Sequence, residues 1–96
     1  MATCMKNVEI GQFTKSIAGH DKDKLFVIIK IEAEYVYLVD GKTRTLESPK
    51  KKKMKHIQPI HEIDKTIKEK LDSNIELRNE DIKLALKCYK KAMIEK

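Results

Sequence analysis

Between Lys42 and Lys55 the chain carries seven lysine or arginine residues and one acid, Glu47, a local balance of +6 that equals the net charge of all 96 residues. Elsewhere the charges cancel. Ammonium and guanidinium groups neutralise phosphates and release condensed counterions, which gives a salt-sensitive hold on a polyanion. Four to six such contacts would give log affinity against log salt a slope of roughly −3 to −5. The candidates are Lys42 and Arg44, then Lys50, Lys51, Lys52, Lys53 and Lys55, with Lys22, Lys24 and His56 completing the set. Arg44 adds a planar fork that can hold a phosphate or a guanine edge by two hydrogen bonds. Tyr35 and Tyr37 stand two apart, so on a strand they share a face and can stack on unpaired bases, unless that face is core. Without such a context, a lysine run is simply a solvated loop.

Other chemistries leave no trace in the spacing. There is no Gly-x-x-x-x-Gly-Lys cradle, no His-Glu-x-x-His and no useful nucleophile–base pair, so the expectation is a protein without catalysis. Cys4 and Cys88 are far apart and His20, His56 and His61 are scattered, so neither metal nor cofactor is expected. Cys88 reads as a small, reduced helix residue. The longest apolar runs fall well short of the roughly 18 residues of a membrane span. The first residues lack the apolar core of a signal peptide, and a cytoplasmic location is expected.

The elements that would position the basic residues follow from periodicity. Residues 10–17 alternate apolar and polar around Gly11 and read as a first strand with a bend. Residues 18–24 form a polar loop. The run 25–31 is short, apolar and β-branched, which favours a buried strand, and 35–39 is another. Asp40-Gly41 signals a type I′ hairpin, with residues 43–46 as its return strand and Leu46 facing the core. Residues 54–58 give a last short strand. Five strands in so short a span predict a small, bent antiparallel barrel.

Pro59 reads as the end of the barrel and the start of a helix, with Ile60, Ile63, Ile67 and Leu71 as its stripe. A second helix follows Asn79 as N-cap, with Ile82, Ala85, Leu86, Tyr89 and Met93 on its apolar face. Its lysines Lys87, Lys90, Lys91 and Lys96 sit where cations favour the helix dipole. Residues 1–58 hold 12 bases and 7 acids, and residues 59–96 hold 9 and 8, so the polyanion signal lies in the first half.

Several stretches carry a family resemblance. They are Val8-Glu9-Ile10-Gly11-Gln12-Phe13, Ser16-Ile17-Ala18-Gly19-His20-Asp21-Lys22, Phe26-Val27-Ile28-Ile29, and Tyr37-Leu38-Val39-Asp40-Gly41 with Arg44. Together they resemble a KOW-type domain, in particular the small KOW proteins of the archaeal and eukaryotic large ribosomal subunit and their short bacterial RNA-binding relatives. Pro49-Lys50-Lys51-Lys52-Lys53-Met54-Lys55-His56-Ile57 is similar to a basic segment of the bacterial members. The resemblance covers roughly residues 8–58 and implies an SH3-like barrel that binds structured RNA, typically ribosomal, without catalysis. Asp23 stands where KOW loops usually carry glycine, which moves the expected contacts toward Lys42, Arg44 and residues 50–55.

The resulting expectation is a mainly β, overall α+β protein. It has a disordered start at 1–7, a five-stranded SH3-like barrel at 8–58 and a helical C-terminal extension at 59–96. Lys42 and Arg44 would lie on a rigid strand, and Lys50–Lys53 with Lys55 on a mobile loop. RNA, ribosomal RNA first, is the expected partner of a free monomer, alongside ribosomal proteins. The competing expectation is an interaction module whose C-terminal helices dock a protein, since fold alone does not fix function.

Overall fold

The computed structural model describes residues 8–17, 19 and 24–94. The expected disordered start, His20 and Lys22 lie outside these residues. Five strands form one antiparallel sheet: β1 (Gln12–Ser16), β2 (Leu25–Glu32), β3 (Tyr35–Val39), β4 (Lys50–Lys53) and β5 (Ile57–Ile63), ordered β4-β3-β2-β1-β5. Two helices follow, α1 (Lys65–Asp72) and α2 (Asn79–Ile94). The class is mainly β with two C-terminal helices, as expected. The sheet is not closed: β4 and β5 end it on opposite sides.

It is nonetheless curved. Lys53 and Ile57 belong to opposite edge strands, yet only the 3-10 turn Met54–His56 separates them. Strands about 4.8 Å apart would set those edges about 19 Å apart in a flat sheet. Four Cα steps span about 14 Å at full extension, and a 3-10 turn spans less. The sheet must therefore bend to bring its edges together. Register shifts between Ile28 and Lys30 in β2 and between Gln12 and Thr14 in β1 supply the local bending.

β2 reads as an unbroken apolar run because both of its faces are covered. Val27 joins Phe13 and Val39 beneath the helices, against Ile67, Ile82, Ala85 and Leu86. Phe26 and Ile28 pack on the other face with Val36, Leu38, Met54 and Ile57. The α2 stripe behaves as its spacing predicts: Ile82, Ala85 and Leu86 are buried, and Tyr89 stacks on Phe13 with ring centroids 4.7 Å apart. The side chain of Met93 is outside the described set.

Four expectations fail, each for a physical reason. Asp40-Gly41 is not a type I′ hairpin, because only Gly41 takes a positive φ, +80°. Instead the Asp40 carboxylate accepts from the backbone N–H groups of Lys42 and Arg44, at 2.8 and 2.9 Å, closing a loop rather than opening a strand. Residues 43–46 accordingly form no return strand; Thr45 makes one isolated bridge, to Ser48. The ladder place beside β3 goes to the lysine run, which is a strand and not a loop. Finally, Pro59 does not start a helix. It lies within edge strand β5, where its missing N–H costs no inner ladder bond. The helix begins six residues later behind Asp64, whose carboxylate accepts from the N–H groups of Thr66 and Ile67. The expected boundary at residue 58 thus falls inside β5. Among the described residues no helix is long and apolar enough to cross a membrane.

Candidate nucleic-acid interface

Lysine is a poor strand former, so β4 exists because β3 offers an open edge and because both ends of the run are held. Pro49 precedes it, and Met54 follows with its side chain buried and its N–H donated to the Glu34 carbonyl at 2.7 Å. The register pairs Lys53 with Tyr35, Lys52 with Val36, Lys51 with Tyr37 and Lys50 with Leu38. Strand alternation then sorts the lysines. Lys50 and Lys52 share the face of the buried Leu38 and Val36, whereas Lys51 and Lys53 share the face of the half-buried tyrosines.

On that second face Lys51 Nζ lies 4.5 Å from the Tyr35 ring centroid and 6.0 Å from that of Tyr37. Lys30, which the sequence reading missed, sits across β3 with its Nζ 5.3 Å from the Tyr37 ring. Its signal was register: Lys30 pairs with Tyr37 across the β2–β3 ladder. Two glutamates complete the face. Glu34 is 4.0 Å from Lys53, and Glu32 is 3.8 Å from Lys30 and accepts a 3.1 Å hydrogen bond from the Tyr37 hydroxyl. These ion pairs are solvent-exposed and worth about 0–1 kcal/mol each. A phosphate can therefore replace the glutamates at little cost. The arrangement is two aromatic rings held among three lysines on hydrogen-bonded strands.

The other sequence candidates go elsewhere. Arg44 is half-buried in the loop after β3, not on a strand, and its carbonyl accepts from the N–H groups of Asp40 and Gly41. Lys55 and His56 lie in the 3-10 turn, with the His56 carbonyl accepting from Ile17. Lys24 and Lys42 join α2 instead. They line a groove of about 1270 Å³ together with Lys83, Lys87, Lys90 and Lys91. The sequence reading places Lys87, Lys90 and Lys91 at the helix dipole and leaves Lys83 aside, but 83, 87, 90 and 91 recur at spacings of three and four on a flank apart from the apolar stripe. The rigid and mobile groups expected from sequence thus become an aromatic–lysine face and a separate lysine groove.

No protein-family model matches the chain, and no curated protein matches it.

Proposed function

We propose that this protein is a non-catalytic RNA-binding protein of the KOW type, acting on ribosomal RNA in the cytoplasm. Its curved sheet would be an SH3-like barrel left open between β4 and β5. The observation that carries the reading is the pairing of β4 with β3, which sets Lys51 and Lys53 beside Tyr35 and Tyr37. Stacking on aromatic rings and neutralisation of phosphates are the two interactions that single-stranded and loop RNA offers to a sheet surface. When a base stacks on Tyr35, Lys51 swings from the ring to a neighbouring phosphate. Lys30 and Lys53 exchange their glutamates for phosphates in the same way. Phosphate contacts hold the RNA in position, and the stacked bases select unpaired segments over duplex.

Fluorescence titration with ribosomal RNA fragments containing loops, at several salt concentrations, tests this. Three to five contacts give a log–log salt slope of about −2 to −4 for single-stranded segments. Tyr35→Ser with Tyr37→Ser is expected to lower affinity by about tenfold or more, from lost stacking. Lys51→Gln with Lys53→Gln should make the slope shallower by about 1 to 1.5. Affinity untouched by both pairs of substitutions would remove the site, and no binding at low salt would remove the function.

A further inference from the structure

We propose that the groove between α2 and the sheet is a docking site for a partner protein's acidic segment bearing leucine-like side chains. Lys24 and Lys42 line the groove from the sheet side, and Lys83, Lys87, Lys90 and Lys91 from α2; among its described lining residues the carboxylates are those of Asp40 and Glu80. Even with Lys24 set aside, the five lysines Lys42, Lys83, Lys87, Lys90 and Lys91 outnumber the carboxylates among the described lining residues, and such a positive channel draws in and orients an anionic partner. Its apolar lining is aliphatic, made by Leu25, Leu84 and Leu86. Leu84 is 60% exposed, the most exposed of the large apolar residues described. It lies on a flank of α2 that the core does not use, and the lysine stems around it extend the apolar surface.

The side chains distinguish this groove from the tyrosine face. Among the described residues that line it there is neither an aromatic ring nor an arginine, the groups on which unpaired bases stack. Leucine among lysines complements a segment whose aliphatic side chains settle on Leu84 while its carboxylates meet the rim. That is the helix-in-groove mode of peptide recognition, with charge setting the register. The inference does not depend on RNA binding, because it uses a different surface.

The test uses the full chain and a synthetic helical peptide with glutamates on one flank and leucines on the other. Its controls are the same peptide with serine for leucine, and a single-stranded RNA of equal charge. The leucine peptide is expected to bind more tightly than the serine peptide by on the order of tenfold, the effect of burying one leucine. Leu84→Ser should erase that difference. Lys87→Glu with Lys91→Glu should weaken both peptides, leaving RNA affinity and the circular dichroism spectrum unchanged. These residues are exposed, so folding is preserved. Equal binding of the two peptides overturns the proposal. So does RNA binding that exceeds peptide binding and is lost in the double lysine variant, which assigns the groove to nucleic acid.

Discussion

Gly41 lies so close beneath Asn79 that a Cβ on it would stand 2.6 Å from the Asn79 carbonyl oxygen. The contact is with helix backbone, which cannot step aside as a side chain could. It joins the loop after β3 to the first turn of α2, and Asn79 tightens the joint. Its Oδ1 accepts from the Leu46 N–H at 2.8 Å, and its Nδ2 donates to Glu47 at 3.0 Å. Gly41→Ala adds a methyl group at φ +80° and pushes on that backbone. The expected loss is about 2–4 kcal/mol, from left-handed strain together with overpacking. Urea unfolding with an unchanged m-value would measure it; a midpoint equal to that of the parent protein would refute the close approach.

A second joint links the helices. Asp81 Oδ2 lies 2.7 Å from Lys70 Nζ on α1 and accepts from the Arg78 N–H at 2.9 Å. The Lys70 hydrogen bond first, and the Arg78 amide second, hold the Asp81 carboxyl below its ordinary value of 3.8. A carboxyl group depressed in the folded state stabilises fully above its unfolded pKa, and that contribution is lost as pH falls through the folded value. The parent protein should therefore lose more stability on acidification below about pH 5 than Asp81→Asn does. At neutral pH the substitution should cost about 1 kcal/mol. Stability profiles that run parallel from neutral to acid pH would show that Asp81 carries no such linkage.

β4 poses a problem of register, since four identical side chains cannot tell one alignment from the next. Met54, 5% exposed, fixes it from outside the strand, together with its hydrogen bond to Glu34. Met54→Ala is expected to cost about 2–3 kcal/mol through the cavity it leaves. It should also speed hydrogen exchange at the amides of residues 50–53 more than at those of β2. Uniform acceleration across the sheet would mean that the register is fixed elsewhere.

The sequence revealed those elements whose own side chains demand a core. Residues 25–31, 35–39 and the α2 stripe were legible because β-branched runs and the 82, 85, 86, 89 spacing have one physical solution each. The failures came where a distant partner decides. Nothing in four lysines announces a strand; the open edge of β3 makes them one. Thr43–Leu46 looked like a return strand until Asn79, far along the chain, took the Leu46 N–H. Ile60 and Ile63 mimic the helical spacing that Ile67 and Leu71 satisfy, because spacings of three and four also fit the end of a bent strand followed by a helix. The candidate site was half legible. Lysine and tyrosine types were visible, but the pairing of Lys51 with Tyr35, and the meeting of Lys24 with α2, depend on register and packing.

β4 also forms one margin of the sheet, and a sheet margin is where a second molecule can add a strand and begin an aggregate. Four ammonium groups in a row make that approach repulsive between identical copies. The repulsion vanishes whenever those charges are neutralised, whether by substitution, by acetylation or by bound phosphate. A phosphate chain that displaces it must also shield the strand it lies upon. Whether this margin accepts a strand from a second copy is then set by the charge state of four side chains rather than by its backbone.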